Sequence, residues 1–459
     1  MKINTSNLGS IYDLATNTHY DSETLRKLIK NKVKELRQEG IDAESTVILK
    51  ATSTPDFFIA LLALFEISST VVPISEKLTS HEIKNLQHHC LAGHIIEHNE
   101  VFKYKQYDKS KGFALILYTS GTTGSPKGVA ISYEKLQRKI QVLKTVFLED
   151  EIKRTLCLLP VSFGHGLIAN SLFPLLHGGK LFLAPAFDLK ILLNLEHICD
   201  KHQITFMSSV PSLWKTIFHL HSKLQLKSLR RVICASSVLS NSLKEQIIGS
   251  CPNSIVSNAY GLTEALSWIL VTRSSQEEGL GTPIEGEIRF QNPQTKEFSD
   301  KEGEILVYSQ YLFDEYLNSS SLTKSSFEGK YFKTGDIGKR NKDGHIIYQG
   351  RIKNIVSRAG FKIYPEEVEN LVLSSNMTKD CFCFGASDPI WEEELIACIV
   401  LKNNSDESKK KFLSWAGQHL PTQIRPSKWF YLEKIPKNRN GKNDKNKTIE
   451  KISLLNQTK

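Results

Sequence analysis

The chain has 459 residues, 40% of them hydrophobic and 24% charged, which excludes a single small domain and is ordinary for a soluble protein of two or three domains. Lysine and arginine outnumber aspartate and glutamate by 59 to 49, an excess that suits nucleotide, pyrophosphate or acidic protein partners. No groove-reading motif and no apolar run of about 20 residues accompanies this charge, so we expect neither nucleic-acid binding nor a membrane span.

Eight cysteines are scattered through apolar surroundings without C-x-x-C spacing, which predicts buried thiols in a reducing compartment. The first residues contain no apolar signal core. Both features favour a cytoplasmic protein.

The first hundred residues alternate predicted helices and strands. Asp21 or Ser22 can cap a helix whose apolar residues recur at helical spacing up to Gly40, and residues 55–65 form a second, fully apolar helical stretch. Short apolar runs, typical of strands, occupy residues 47–49, 71–73 and 95–96. This alternation predicts an α/β fold with layered, largely parallel sheets.

A stretch rich in glycine and hydroxyl residues, Tyr118 to Gly128, follows the apolar strand predicted at 113–117. Its candidate phosphate-binding residues are Thr119, Ser120, Gly121, Thr122, Thr123, Gly124 and Lys127. Glycine lets backbone N–H groups turn inward, hydroxyls add donors, and lysine adds a positive charge. The stretch differs from the common G-x-x-x-x-G-K-[ST] loop because Gly128 follows the lysine. The preceding strand nevertheless favours a phosphate loop over an ordinary surface turn.

The next part of the chain continues the alternation. Helices are predicted at 133–147, 169–176 and 189–202, and strands at 155–159, 180–183, 204–207 and 231–234. His165 follows one strand and Ala235 and Ser236 follow another; in open α/β sheets such strand ends bind ligands. A histidine between two glycines is also typical of an ordinary exposed loop.

The segment from Asn258 to Glu264 is a second compact group of candidate residues. Tyr260 can stack on a base, Thr263 can donate to a phosphate, and Glu264 can bind Mg²⁺ through its carboxylate. A common Tyr-Gly turn is the alternative interpretation.

The remainder is β-rich and then mixed. Strands are predicted at 286–290, 303–308 and 331–332, and Asp336 is either a turn residue or a carboxylate that binds ribose hydroxyls. A smaller α+β unit follows, with strands at 381–384 and 395–401 and helices that begin at Glu366 and near residue 409. Residues 434–447 carry six lysine or arginine residues and the single acid Asp444, which predicts a solvated, mobile segment.

In their order and spacing these stretches resemble the adenylate-forming (AMP-binding) superfamily, which includes acyl- and aryl-CoA synthetases, luciferases and peptide synthetase adenylation domains. The resemblance runs from about residue 45 to the terminal basic segment. It implies an adenylation core at residues 1–350, made of layered sheets and helices plus a β-rich subdomain. A small mobile α+β lid domain would follow at 351–459, turning about a hinge near Lys353.

The resemblance also implies a role for each candidate residue. The loop 118–128 would close on the β- and γ-phosphates of ATP, with Tyr260 on adenine and Thr263 near the α-phosphate. The remaining implied roles are a magnesium ligand at Glu264, ribose contacts at Asp336 and Arg351, an adenine motif that begins at Asn258, a thiol tunnel at Gly360, a catalytic lysine at Lys442, and an acyl pocket at Phe163, His165, Ala235, Ser236 and Ala259.

The implied activity is ATP-dependent, AMP-forming ligation of an apolar or aromatic carboxylic acid to the thiol of coenzyme A, with Mg²⁺. Magnesium and a lysine offset the repulsion between a carboxylate and the anionic α-phosphate. One alternative is an enzyme that loads the phosphopantetheine of an acidic carrier protein; another is a nucleotide-binding regulatory protein without turnover. The chain departs from the family pattern at 235–238, at Ala259, at His165 and after Lys442, which predicts an unusual acyl pocket and a loosened lysine strand.

Overall fold

The structure is a computed structural model that describes residues 3–104, 111–119, 127–358, 361–388, 390, 392–437 and 443–457. In these residues the strands are β1 Ser10–Asp13, β2 Thr18–Tyr20, β3 Thr46–Ala51, β4 Thr70–Ser75, β5 His94–Glu97, β6 Glu100–Lys103, β7 Phe113–Thr119, β8 Lys127–Ser132, β9 Arg154–Cys157, β10 Lys180–Leu183, β11 Phe206–Ser209, β12 Arg231–Ala235, β13 Ile255–Leu262, β14 Ser267–Val271, β15 Thr282–Pro283, β16 Glu287–Gln291, β17 Phe298–Ser299, β18 Glu302–Tyr308, β19 Glu315–Tyr316, β20 Phe327–Glu328, β21 Tyr331–Arg340, β22 Ile346–Arg351, β23 Val356–Arg358, β24 Phe361–Ile363, β25 Thr378–Asp388, β26 Glu392–Leu401 and β27 Lys428–Tyr431.

The helices of the same residues are α1 Ser22–Gln38, α2 Pro55–Ile67, α3 Ser80–Cys90, α4 Tyr133–Leu143, α5 Glu149–Ile152, α6 Phe173–Leu175, α7 Leu189–Leu193, α8 Leu195–His202, α9 Pro211–Leu220, α10 Asn241–Ser250, α11 Ser320–Ser325, α12 Pro365–Ser374, α13 Asp406–His419 and α14 Lys445–Gln457. A π-helix covers His165–Leu172, and short 3₁₀ helices cover Thr263–Ala265 and Ile352–Asn354. None of the described helices is both long and apolar enough to span a membrane.

Two compact units divide the chain. The first consists of Met1–Leu239, Glu245–Ile288 and Val307–Phe332, and the second of Ser240–Lys244, Arg289–Leu306 and Lys333–Lys459. The domain boundary at 350/351 and the hinge at Lys353 stay predictions, because neither is tested by this division.

The first unit contains, within its described residues, a nine-stranded sheet in the order β15-β14-β13-β12-β11-β9-β10-β1-β2. Its strands from β13 through β1 are parallel, whereas the pairs at its two ends are antiparallel. Parallel sheets are normally covered on both faces, which explains why β9 to β12 are apolar runs without alternation.

A seven-stranded sheet of the first unit, again counted over described residues, has the order β19-β8-β7-β4-β3-β5-β6. Helix α2 contacts β3 and β4 of this sheet and β1 of the nine-stranded sheet. All its residues except Asp56 and Glu66 are buried, so this helix is apolar on every side, as expected for one enclosed between layers.

The second unit has a five-stranded sheet in its described part, with the order β24-β23-β26-β25 and β27 on β26. Its core includes Val356, Val368, Leu395 and Phe412, which come from β23, α12, β26 and α13. The hairpin of β21 and β22 belongs to this unit from residue 333 onward.

The predicted α/β fold with a large N-terminal part and a smaller C-terminal part is confirmed, as is burial of the eight free cysteines. Some element bounds were wrong. The helix predicted at 133–147 ends at Leu143, and the one predicted at 169–176 begins at His165 as a π-helix. The helix predicted at 189–202 is broken at Asn194, whose side-chain amide donates to the Lys190 carbonyl.

The terminal basic segment is also more ordered than predicted. Its last part, from Lys445, begins helix α14, and the Asp444 carboxylate accepts from the Lys447 amide at 3.1 Å. A carboxylate at this position caps the exposed N–H groups of a helix start. The segment therefore contains a helix start and is not mobile over its whole length.

Candidate functional site

The predicted acyl-pocket residues of the first unit lie at the ends of neighbouring parallel strands. Phe163 and His165 come after β9, Ala235 ends β12, and Ala259 of β13 lies directly opposite Ala235. Carboxyl ends of parallel neighbours meet at the same edge of a sheet. The side chain of Phe163 is exposed at this edge, whereas Ala235 and Ala259 are buried.

His165 is held between two serine hydroxyls. Its Nδ1 is 3.0 Å from Ser236 Oγ and its Nε2 is 2.6 Å from Ser208 Oγ. Its ring meets the Trp268 ring edge to face, with 5.4 Å between centroids. A Cβ at the next residue, Gly166, would lie 2.2 Å from the Pro160 carbonyl oxygen, so only glycine lets the π-helix start this close to the preceding chain.

The His165 ring is neutral at physiological pH. Although part of the side chain still reaches solvent, burial lowers the pKa of His165 to about 3. Its contacts with Ser208, Ser236 and Trp268 are all with uncharged groups. A serine–histidine pair used for nucleophilic catalysis normally has an acid that stabilises the imidazolium. The ring is therefore suited to form a pocket wall and unsuited to act as a base.

Ser236 has a strained backbone. Its φ of 71° lies in the left-handed region, which costs a residue with a Cβ about 1–2 kcal/mol. Such strain tends to persist at functional sites. The hydrogen bond to His165 fixes the hydroxyl of a residue that directly follows β12.

Strand β13 carries the predicted adenine motif. A bulge lies between Tyr260 and Gly261, and a Cβ at Gly261 would lie 1.9 Å from the Ser267 carbonyl oxygen. The Asn258 side chain donates to the Gly279 carbonyl at 2.7 Å. Asn258 thus fixes a neighbouring loop, and the glycine of the motif is required by the close approach of β14.

Glu264 and Lys127 are both in contact with one tyrosine that the sequence interpretation missed. Tyr316 donates from Oη to Glu264 Oε1 at 2.6 Å, and Lys127 Nζ lies 5.6 Å from the centroid of the same ring. Thr263, next to Glu264, starts a 3₁₀ turn. No sequence signal identifies Tyr316, because its partners lie 52 and 189 positions earlier in the numbering.

Glu264 suits a magnesium ion. Within the described ranges its Oε2 accepts no hydrogen bond, and no cluster of three or more His, Cys, Asp or Glu side chains is arranged to hold a metal. Mg²⁺ in nucleotide sites is commonly held by one or two carboxylates together with substrate phosphates. A single carboxylate beside a phosphate loop fits that pattern.

The described ends of the phosphate loop are paired strands. Thr119 ends β7 and lies opposite Lys127, the first residue of β8. Tyr118 is anchored from the side, since its hydroxyl is 2.8 Å from His89 Nδ1. The predicted loop residues Ser120, Gly121, Thr122, Thr123 and Gly124 lie outside the described residues.

The second unit brings together the two predicted ribose residues. Asp336 of β21 lies opposite Arg351 of β22, and Arg351 Nε is 2.7 Å from Asp336 Oδ1. Gly335, with φ of 72°, donates from its amide to Glu304 Oε1 at 3.0 Å, which fixes the turn before Asp336. Lys353 lies exposed in the 3₁₀ helix after Arg351.

Two predicted residues of the second unit cannot be placed. Gly360 and Lys442 lie outside the described residues, so their roles stay predictions. The pocket neighbours Ser208 and Trp268 were missed. Ser208 had only a weak signal, its position after a predicted strand, and Trp268 had none.

Two family models match the chain and together cover more than half of it. The model described as AMP-binding enzyme matches residues 97–317, and the AMP-binding enzyme C-terminal domain matches residues 367–442. The matched ranges include the phosphate loop, the adenine motif and Lys442.

Similar curated proteins include synthetases of several kinds. A plipastatin synthase of Bacillus subtilis (strain 168) is 27% identical over 363 residues, which are 76% of this chain and 10% of that protein. The mitochondrial malonate–CoA ligase of Bos taurus is 28% identical over 381 residues, 74% of this chain and 64% of that protein. The oxalate–CoA ligase of Arabidopsis thaliana is 28% identical over 342 residues, 72% of this chain and 65% of that protein. The chain thus spans less than two thirds of each of these relatives.

Solved structures share the fold. ATP-bound MatB from Rhodopseudomonas palustris has a TM-score of 0.87 and 20% identity, covering 99% of this chain and 100% of that chain. The o-succinylbenzoate CoA synthetase MenE from Bacillus subtilis, with its acyl-adenylate OSB-AMP, has a TM-score of 0.82 and 21% identity, covering 96% and 94%. The architecture is therefore that of these two proteins.

Proposed function

Because this chain belongs to the family of AMP-binding enzymes, we propose that it is an ATP-dependent, AMP-forming ligase that joins a carboxylic acid to the thiol of coenzyme A. The likeness to malonate–CoA and oxalate–CoA ligases supports this activity. The observation that carries the proposal is the contact of Glu264 and Lys127 with Tyr316, which joins the adenine motif to the end of the phosphate loop.

The proposed reaction has two steps. In the first, a carboxylate oxygen of the acid attacks the α-phosphorus of ATP, and pyrophosphate leaves. In the second, the thiol attacks the acyl carbon of the mixed anhydride, and AMP leaves with the bonding electron pair. A magnesium ion would supply positive charge to the phosphates in the first step.

The chain's own residues would divide this work. Lys127 offers an ammonium group to the departing phosphates, and Asp336 offers a carboxylate, oriented by Arg351, to the ribose hydroxyls. Glu264 would bind the magnesium ion. Lys442 would offset the charge between the attacking carboxylate and the α-phosphate.

We propose an apolar or aromatic acid as the substrate. The support is the uncharged environment at the predicted pocket, where the neutral ring of His165 lies against Trp268 and beside the ends of β11 and β12. A second carboxylate buried there would need a cationic partner, because an unpaired buried charge is strongly disfavoured. This predicts that the acid differs from malonate and oxalate.

The second candidate is an enzyme that loads a carrier protein. The likeness to a peptide synthetase favours it, and so does the basic segment 434–447, which suits an acidic partner. In this version the thiol belongs to phosphopantetheine and the first step is unchanged.

Acid-dependent ATP–pyrophosphate exchange tests the first step. The panel contains benzoate, cinnamate, hexanoate and octanoate, each set against malonate, oxalate or succinate. We expect exchange with monocarboxylates that are apolar or aromatic. Exchange with the dicarboxylates alone would contradict the proposed substrate class, and ATP binding without exchange for any acid would favour a regulatory nucleotide-binding protein.

A second experiment separates the two acceptors. The enzyme is incubated with the acid that gave exchange, ATP and Mg²⁺, and then with either coenzyme A or a holo-carrier protein. Formation of acyl-CoA measured by mass supports the ligase. Acylation of the carrier with no acyl-CoA would favour the second candidate.

A further inference from the structure

We propose that Tyr316 is a positioning residue that couples the phosphate loop to the magnesium-binding carboxylate, Glu264, by fixing the orientation of that carboxylate. The inference rests on the proposed function and extends it to a residue that has no assigned role. The buried Tyr316 hydroxyl donates to Glu264 Oε1 at 2.6 Å. A short O–H···O⁻ bond of this kind is stronger than one between neutral groups.

The backbone around Tyr316 is fixed on two sides. In β19, Tyr316 lies opposite Val129 of β8, and the Leu317 amide donates to the Gly128 carbonyl at 2.8 Å. On the other side, the Phe313 amide donates to the Glu264 carbonyl at 2.8 Å. The segment 313–317 is thus hydrogen-bonded both to the strand that leaves the phosphate loop and to the residue that would bind the metal.

The ring of Tyr316 also lies close to the lysine of the loop. Lys127 Nζ is 5.6 Å from the ring centroid, within the range of a cation–π contact. Burial raises the pKa of Tyr316, so its hydroxyl remains a donor throughout the physiological range. One side chain therefore contacts the cation of the loop through its ring and the carboxylate through its hydroxyl.

The hydrogen bond leaves one carboxylate oxygen of Glu264 for the metal. Because Oε1 accepts from Tyr316, rotation of the carboxylate is restricted and Oε2 is presented in one orientation. Partners that orient a metal ligand typically change metal affinity by about 10–100-fold when they are removed. Loss of the hydroxyl should therefore weaken the effect of Mg²⁺ on ATP binding and leave metal-free binding unchanged.

The test compares ATP affinity with and without Mg²⁺, measured by calorimetric titration of the full chain. In Tyr316→Phe the ring and its contact with Lys127 remain, and we expect the Mg²⁺-dependent gain in ATP affinity to fall by about tenfold. Tyr133→Phe is the matched control: it also removes a buried hydroxyl, which donates to the Ser69 carbonyl at 2.7 Å. The control should keep the full gain, and thermal unfolding of both variants shows whether they are folded.

A double variant distinguishes positioning from general loss of stability. In a Glu264→Gln background the carboxylate is absent, so adding Tyr316→Phe should change the Mg²⁺-dependent gain no further. Equal gains in wild type and Tyr316→Phe, or additive losses in the double variant, would overturn the inference. If ATP affinity of the wild type itself does not depend on Mg²⁺, the proposed function fails instead.

Discussion

Arg351 lies directly opposite Asp336 on adjacent strands, and its Nε is 2.7 Å from Oδ1 of that carboxylate. Asp336 is only 3% exposed, whereas the arginine side chain is 42% exposed. The buried carboxylate is thus oriented by a partner that still reaches solvent. Asp336 Oδ2 is farther from the guanidinium, 3.5 Å from Nη2, and this suits a carboxylate that also accepts hydrogen bonds from a bound diol.

Asp336→Asn should weaken ATP binding by about 10–100-fold, because a charged acceptor of ribose hydroxyls becomes a neutral amide. The loss should be smaller for 2′-deoxy-ATP, which lacks one of those hydroxyls. Both affinities can be measured by titration. Asp343→Asn, at an exposed turn between the same two strands, is the control and should bind both nucleotides like the wild type. Equal losses for the two nucleotides would contradict a ribose contact.

His165→Gln should make the protein less sensitive to acid. Burial lowers the pKa of folded His165 to about 3 from its usual 6.5. Below pH 6.5 the unfolded chain binds a proton at this residue that the folded chain does not, so the free energy of unfolding decreases as pH falls towards 3. The decrease is about 1.4 kcal/mol per pH unit, or roughly 2 kcal/mol at pH 5.

Urea unfolding of both proteins at pH 7.5 and pH 5 measures this effect, since other titrating groups are common to the two chains. We expect the stability of the wild type relative to His165→Gln to drop between these pH values. A difference that stays constant would show that folded His165 takes up its proton in the ordinary range.

The sequence predicted best those elements whose pattern is local. The fully apolar helix predicted at 55–65 is α2, Pro55–Ile67, and the strand predicted at 180–183 is β10, Lys180–Leu183. The break at Asn194 was missed because it depends on a side-chain amide that competes for a helix carbonyl. The π-helix at His165 was missed because its start depends on close approach to Pro160.

The site was predictable as far as strand ends reveal it. His165 and Ser236 were identified, and the structure brings them within hydrogen-bonding distance because β9 and β12 are separated only by β11. That sheet order cannot be read from the sequence, so the third member, Ser208 at the end of β11, was missed. Tyr316 was missed for the same reason, since its pairing with β8 joins distant parts of the chain.

Lys442→Ala should abolish acid-dependent ATP–pyrophosphate exchange and leave thioester formation from preformed acyl-adenylate within about threefold of wild type. The lysine is proposed to offset charge only while the carboxylate attacks the α-phosphate. Lys437→Ala is the control, because Lys437 lies in the same basic segment and forms an ion pair with Asp380 at 2.8 Å. Comparable loss of both half-reactions in Lys442→Ala would contradict the proposed role.

Glu369→Gln should stabilise the second unit at alkaline pH. Glu369 on α12 accepts at Oε1 from the Cys383 amide at 2.7 Å. Burial raises the pKa of Glu369 from 4.5 to about 8, and the nearby Glu366 and Asp380 carboxylates raise it further. The folded protein is therefore protonated at this residue under conditions in which the unfolded chain is ionised.

The sign follows from proton binding. Between pH 4.5 and 8 the folded state binds a proton that the unfolded state lacks, so the stabilising contribution present below pH 4.5 is lost as pH rises through 8. The loss is about 1.4 kcal/mol per pH unit. Glutamine keeps the acceptor for the Cys383 amide and cannot ionise, so the stability gained by Glu369→Gln should grow from pH 5 to pH 8. Denaturant unfolding at these two pH values measures it, with Glu367→Gln on the same helix as the control. A gain that is equal at both pH values would mean that folded Glu369 ionises like an ordinary carboxylate.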